Sequence, residues 1–405
     1  MDIIFVRNTL LWFFVVGFFF FPQLQTVIIA ACFLTLLVDR SYYKQVGKVL
    51  KNKLGVAMIG YFLILTISLV YSQNLPEGLR TLETKFSFFV FPFFLPILLE
   101  NSTNQKKLLP ILLYSGLAYI VVSFIDAGIH YQSTQSLTSF FYTELGVGFF
   151  KEGSFIHPAY ASFFYNILIA YVGLNLIKNQ LSFTRKLISA FLLGLMALFI
   201  FMLSSKFGIL ALAVNSCLLL LFYIKESKQV TRAILVFLLG TFSGVIVITQ
   251  TPLKQRFEAA FSAMTNGNGK YSSSQTRLDV WSVTTEIIGE NPLFGVGIGD
   301  IRDELLNKYN EKGYLLYSER GYDSHQEFLQ TWAASGVPGI GLLLILFFLM
   351  FQKARQTNNF LLTIFSILFL LFGMVESMLE RQAGVVFFVF FGMLLYSFTS
   401  IKAKS

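Results

Sequence analysis

The chain repeats one pattern from end to end: apolar stretches of about the length of a membrane-crossing helix, separated by polar turns. A helix crossing about 30 Å of hydrocarbon needs about 20 mostly apolar residues. Twelve stretches fit: 5–21, 24–38, 54–71, 86–99, 108–126, 155–177, 187–203, 207–224, 233–250, 335–351, 359–375 and 383–400. The fourth contains Pro92 and Pro96, which predict a kink. Composition points the same way. Of the 405 residues, 55% are hydrophobic and only 13% charged, whereas soluble domains carry about a quarter charged residues. A soluble fold could not cover so much apolar side chain with so little polar surface. A secreted scaffold, a disordered chain and a cytosolic enzyme are thereby excluded. The expected fold is all-α: a polytopic membrane protein with about twelve transmembrane helices, forming a single integral membrane domain over 1–405. The apolar run after Arg7 has no small-residue cleavage site behind it, so it reads as an uncleaved first span.

The distribution of Lys and Arg orients these spans. With a cytoplasmic N-terminus, the inside segments hold 18 of the 31 basic residues. The short outside loops hold Arg80, Lys85, Lys151, Lys206 and Arg381, and the 251–334 segment holds the rest beside eleven acids. This bias predicts both termini inside. It also accounts for the net charge of +9 without nucleic acid, because no basic cluster with interleaved aromatics occurs. Cys32 and Cys217 lie in apolar runs and the three histidines lie far apart, so neither a structural zinc nor a catalytic metal is expected, and no cofactor.

Two outside segments exceed simple turns: 127–154 and, between spans 9 and 10, the large loop 251–334. Long structured loops tend to be functional. The larger begins with an amphipathic stretch, Leu253–Met264, and a polar patch, Thr265–Ser274. A helix is expected over Gln275–Gly289, a tight turn at Gly295, Gly297 and Gly299, and a second helix over Asp300–Lys312. The glycine spacing is not that of a dinucleotide fingerprint; it suits tight backbone turning. A last helix enters the membrane from Asp323 or Ser324, either of which can cap it.

There, a polar and ionisable segment, Ser324-His325-Gln326-Glu327, runs directly into the Gly-rich apolar span that follows. In a helix, His325 would share a face with Leu329 and Trp332 at the membrane boundary. A half-buried imidazole can accept a proton from a hydroxyl. The competing reading is an interfacial histidine bonded to loop carbonyls.

The stretch from Ser324 to Gly339 resembles the His-led signature of the O-antigen ligase and polymerase superfamily. Ser204-Ser205-Lys206-Phe207-Gly208 is similar to that family's Ser-Arg-x-Gly, with Lys in place of Arg. Arg277-Leu278-Asp279-Val280-Trp281, followed by Pro292-Leu293-Phe294-Gly295-Val296-Gly297, is similar to its Arg-x-x-x-Trp and Pro-Leu-x-Gly-x-Gly. The resemblance covers roughly residues 190–350. The chain departs at Gln326, where members often have Asn, and at Lys206, which lacks the planar fork that grips phosphate bidentately.

The resemblance implies a membrane glycosyltransferase in the bacterial inner membrane, active on its periplasmic face without metal. It would move a glycan from an undecaprenyl diphosphate carrier to an acceptor hydroxyl. The acceptor is lipid A–core in a ligase, a carrier-linked repeat in a polymerase, and a protein in an O-oligosaccharyltransferase. His325 would be the general base. Lys206 and Arg277, then Arg80 and Lys85, are the candidate cations for the diphosphate that leaves; for each, the alternative is a cation meeting membrane lipid headgroups or an acidic neighbour. His157, with Pro158 behind it, either contacts the donor or starts a helix. Glu376 and Glu380 lie four apart, so that a carboxylate can orient His325 or bond sugar hydroxyls, or pair with Arg381. Gln326, Trp281 and Arg381 are further candidate contacts to donor or acceptor. A transporter or flippase of lipid-linked glycan is the alternative of another class. It calls for ionisable residues near the bilayer midplane, and the predicted spans hold almost none apart from Asp126 at one end.

Overall fold

The computed structural model describes residues 3–38, 51–99, 102–141, 156–231 and 273–398, with single positions 47, 240 and 244. Among the described residues every regular element is helical and no strand occurs. In chain order, α1 (Ile3–Phe20) and α2 (Gln25–Leu37) come first. Next are α3 (Lys53–Ser68), α4 (Leu75–Lys85) and α5 (Ser87–Leu98). Then α6 (Ser102–Thr134), α7 (Pro158–Lys178), α8 (Phe183–Met202) and α9 (Lys206–Ser227) follow. The long-loop region contributes α10 (Ser273–Glu290), α11 (Ile301–Glu311) and α12 (Leu315–Glu319). Last are α13 (Glu327–Thr357), α14 (Phe360–Gly373) and α15 (Gln382–Ser397).

Seven helical stretches are long and apolar enough to cross a membrane: Lys53–Tyr71, Leu75–Leu98, Gln105–Thr134, Pro158–Lys178, Phe183–Met202, Lys206–Ser227 and Glu327–Thr357. Four shorter apolar helices, Phe5–Phe20, Pro22–Thr35, Phe360–Gly373 and Gln382–Ser397, coincide with four further expected spans. Apart from positions 240 and 244, the expected span 233–250, the amphipathic stretch 253–264 and residues 265–272 of the polar patch lie outside the described residues, as does 142–154 of the smaller loop. One expectation is corrected. Arg80 and Lys85 do not sit in a loop but on α4, which Asn74 caps by accepting from Glu77 N.

The chain divides into two compact units. Among the described residues, the first comprises 3–38 and 102–231. Its helices are joined by polar groups that bond across the packing, as expected where no water is present to compete. Tyr165 donates to Gly116 O at 2.8 Å. Asn166 donates to Gly208 O at 3.2 Å, and Asn215 donates to Asn166 O at 2.7 Å. These bonds need α7 and α9 close together, and a Cβ at Gly208 would collide with Ser162.

The second unit comprises 51–99 and 273–398. Phenylalanines fill the space between α14, α15 and α13, with Phe369 and Phe388 centroids 4.4 Å apart. Helices α10, α11 and α12 form a small cap over their own core, in which Val283, Ile287, Leu305, Tyr309 and Tyr317 are buried. The cap is spliced into α13 through a break. Gly336 takes φ 64° and ψ −160° inside that helix, and Pro338 has no N–H. Ala333 and Ala334 therefore lose their usual helical donors, and Val337 N–H loses its acceptor. The glycine turn takes up all three. Val296 N donates to Ala333 O at 2.8 Å, Gly297 N to Ala334 O at 3.0 Å, and Val337 N to Leu293 O at 3.0 Å. The turn is also tied to the α3–α4 connection, where the Asp300 carboxylate accepts from Gln73 N and Asn74 N. Gly295, Gly297 and Gly299 are thus a packing device, as their spacing suggested.

The splice can be tested. A Cβ at Gly295 would lie 2.6 Å from Ala333 O, at φ 71°. Gly295→Ala should destabilise the detergent-solubilised protein by about 1–3 kcal/mol, the usual cost of a strained backbone position, read as a lower midpoint of thermal unfolding. Gly341→Ala, with nothing within 4 Å of its Cβ, should leave the midpoint unchanged or slightly higher.

Candidate active site

Helix α13 begins later than its sequence suggests. Its N-cap is Gln326, whose side chain accepts from Leu329 N. Asp323 and Ser324 do not cap it. The Asp323 carboxylate accepts from His325 N at 2.8 Å, Ser324 N donates to Gln330 Oε1 at 3.1 Å, and Ser324 Oγ donates to Gln326 O at 2.9 Å. With Asp323 committed to this tight turn, His325 falls outside the helix at φ 45°. It therefore does not share a helical face with Leu329 and Trp332, which pack into the cap core instead. Its imidazole stands free of the helix with 26% of the side chain exposed, 5.2 Å from the Tyr322 ring.

The partner of this histidine is the turn between α14 and α15. His325 Nδ1 lies 3.7 Å from Glu376 Oε2 and 3.4 Å from Asp323 Oδ1. The other Glu376 oxygen, Oε1, accepts from an Arg277 terminal nitrogen at 2.6 Å, and Arg277 Nε donates to Val375 O at 3.0 Å. Ser377 Oγ bridges the two segments, accepting from Gln326 N at 3.1 Å and donating to Asp323 Oδ1 at 3.2 Å. One side of the imidazole thus faces two carboxylates, and one carboxylate is itself held by a guanidinium. Among the described residues of the second unit, the structure brings together His325, Arg277 and Gln326 from the expected set, with Glu376.

Other expected residues are placed differently. Glu376 and Glu380 do not share a helical face, because Glu380 lies in the 3-10 turn Met378–Glu380 and Glu376 precedes it outside any α-helix. Glu380 accepts from Lys85 Nζ at 2.7 Å, and Glu376 pairs with Arg277, so neither pairs with Arg381. Arg381 is exposed and makes no ion pair among the described residues. Lys85 is buried and also donates to Leu379 O at 2.9 Å, so it is not a cation facing lipid or substrate. The Arg80 side chain is 74% exposed and its nearest acid is Glu77 at 3.9 Å. Trp281 lies four residues from Arg277 on α10, and its indole N–H is buried with no hydrogen-bond partner among the described residues. Asp279, between them, accepts from Gln275 and Tyr317 and is structural.

Lys206 and His157 belong to the first unit. Lys206 opens α9 behind Ser205, whose hydroxyl accepts from Gly208 N at 3.1 Å. Ser204 precedes it at φ 53°. His157 is the N-cap of α7, where Nδ1 accepts from Ala159 N at 3.4 Å ahead of Pro158. That is the helix-start arrangement.

Glu327 is the residue the sequence reading missed. It is buried, and its Oε2 accepts from Leu379 N at 2.7 Å. The available signal was an acid at the very start of an apolar span, which is costly there unless paired. In the cap core, burial pushes the Tyr309 phenol far above its ordinary range, and Asp323 adds to the effect. Burial also raises Tyr317, to about 12. Both phenols therefore stay protonated, and Tyr317 serves as a donor to Asp279. Among the described residues no three His, Cys, Asp or Glu side chains gather as a metal site requires.

An imidazole whose Nδ1 edge faces carboxylates leaves Nε2 as the natural proton acceptor, because the carboxylates favour the tautomer with hydrogen on Nδ1. The geometry suits proton abstraction from a hydroxyl. Residues 191–344 match the family model described as O-Antigen ligase. This segment runs from within α8 to beyond the break in α13, and it contains Lys206, Arg277 and His325. No curated protein matches the chain. The match is a likeness to that family over this part of the helical, membrane-type chain.

Proposed function

We propose that the protein transfers a glycan from an undecaprenyl diphosphate carrier to an acceptor hydroxyl at the outer face of the bacterial inner membrane. The reading keeps twelve spans and cytoplasmic termini, counting the four short apolar helices and the stretch 233–250 as spans. What supports it most is the meeting of His325, Glu376, Asp323 and Arg277 at one turn, within a chain matched to the O-antigen ligase model.

In this mechanism the acceptor O–H gives its proton to His325 Nε2 as its oxygen attacks the anomeric carbon. The bond from that carbon to the diphosphate oxygen breaks, and its electron pair leaves with the diphosphate. Direct attack inverts the anomeric centre. The imidazolium formed lies beside two carboxylates, so its charge is compensated as it appears. A positioned base of this kind contributes about 10²–10⁴-fold. Contacts 3.4 and 3.7 Å long before substrate binds are compatible with this role, since catalytic hydrogen bonds often tighten only in the complex. Arg277 holds Glu376 and carries positive charge into the site. Lys206 and Arg80 are retained as diphosphate cations on their sequence context, and Arg381, exposed on the turn after α14, as a candidate contact to donor or acceptor. Gln326, Trp281, His157 and Glu380 are retained as candidate contacts to donor or acceptor, although Glu380 bonds Lys85 and His157 caps a helix.

His325→Ala should lower transfer by about 10²–10⁴-fold while the protein still inserts and folds. Transfer at the parental rate would remove the general-base assignment. Glu376→Gln keeps an acceptor for Arg277 but lacks the charge. It should lower kcat by about 10-fold, within the range seen when a group orienting a functional histidine is lost, with little change in donor KM. Glycan from a deletion strain separates the acceptors. Full-length polymer left on the carrier indicates the ligase favoured here. A single repeat still reaching the acceptor, without polymer, indicates a polymerase.

A further inference from the structure

The mechanism above gives no role to two buried ionisable groups, Lys85 from α4 and Glu327 from α13, which meet the half-buried Glu380 at the α14–α15 turn. Two of their bonds converge on Leu379 of that turn. Glu327 Oε2 accepts from Leu379 N at 2.7 Å, and Lys85 Nζ donates to Leu379 O at 2.9 Å and to Glu380 Oε1 at 2.7 Å. Behind Glu327, Thr331 donates to Oε1 at 3.3 Å, and Tyr61 lies 3.2 Å from the Thr331 hydroxyl. Both oxygens of Glu327 are therefore engaged, and both backbone polar groups of Leu379 are held, from two helices.

We propose that Glu327 and Lys85 are positioning residues that fix Glu376 against His325 by gripping the backbone of Leu379. Glu327 lies two residues beyond His325, and Leu379 three beyond Glu376. The Glu327–Leu379 bond thus ties the two segments of the dyad together at a fixed register. The turn's own bonds, Met378 N to Glu376 O and Glu380 N to Ser377 O, set its shape. They do not set its distance from the start of α13. Buried ion pairs add little to stability relative to apolar packing of the same volume. Three ionisable groups concentrated on one turn are better accounted for by the placement they enforce. The inference rests on the reading of His325 as the base.

The test is steady-state transfer by the full-length protein in lipid nanodiscs. Glu327→Leu removes the acceptor for Leu379 N–H and should lower kcat by about 10²-fold, the scale of a misplacement near 1 Å, with donor KM little changed. Glu327→Gln keeps an acceptor oxygen and should recover most of that rate. The decisive measurement is the double variant. If Glu327 acts only through Glu376, adding Glu327→Leu to Glu376→Gln lowers kcat little further. Losses that multiply, or an unchanged kcat in Glu327→Leu, overturn the proposal. Lys85→Met set against Lys85→Arg in the same cycle carries the test if Glu327→Leu does not fold. An active His325→Ala variant would instead overturn the base assignment, so the two failures are distinguishable.

Discussion

The architecture of the second unit depends on a broken helix and on what satisfies it. Where water is scarce, a backbone carbonyl without a donor is expensive, so a break is tolerated only if protein supplies the partner. Gly336 and Pro338 remove helical bonds from Ala333, Ala334 and Val337, and the turn at 293–297 replaces each one. Docking that turn fixes the end of α10 on one side and the start of α11 on the other. Helix α10 carries Arg277, so a backbone debt in α13 is what brings a guanidinium to the turn after α14. The glycine motif and the arginine motif are two parts of one mechanical arrangement.

The electrostatics follow from that placement. Glu376 lies between a guanidinium and an imidazole, with its side chain about one-fifth exposed. In that partly screened setting an ion pair is stronger than at an open surface, and losing either partner strands the other. The Arg277 bond to Val375 O adds direction to the charge contact. The guanidinium therefore orients the carboxylate as well as neutralising it, a task that its planar set of donors performs and an ammonium does not.

Much of the fold was legible in the sequence, because apolar runs and prolines act locally. The expected helices Gln275–Gly289 and Asp300–Lys312 correspond closely to Ser273–Glu290 and Ile301–Glu311. The errors arise where a local turn or a partner far away in sequence takes a polar group from its expected helical place. Asp323 looked like a helix cap but serves the His325 N–H and Ser377. Lys85 was a candidate for the diphosphate, with an acidic neighbour as the alternative; that neighbour is Glu380, which with Leu379 holds it 295 and 294 residues away. Glu376 and Glu380 looked like one helical face, but Glu380 belongs to a 3-10 turn that Glu376 precedes. Local periodicity carries no information about such contacts. The pairing of His325 with Glu376 was suggested only by both lying at ends of spans on the same expected side.

Charge also constrains where a diphosphate can sit. Two carboxylates lie within 3.7 Å of His325 Nδ1, and like charges 4 Å apart cost about 4 kcal/mol at an effective dielectric of 20. An anionic leaving group is therefore excluded from that edge of the ring. In the proposed reaction the edge facing the carboxylates belongs to the protein and the Nε2 edge to the substrates. Arg277 cannot serve the diphosphate with its full charge, because part of that charge is matched by Glu376. Further cations are needed beyond the dyad. Arg381 follows Glu380 on the same turn, exposed and without an ion pair among the described residues. In the proposed reaction, acids and one guanidinium would hold the base in place, and other cations would be left for the phosphates.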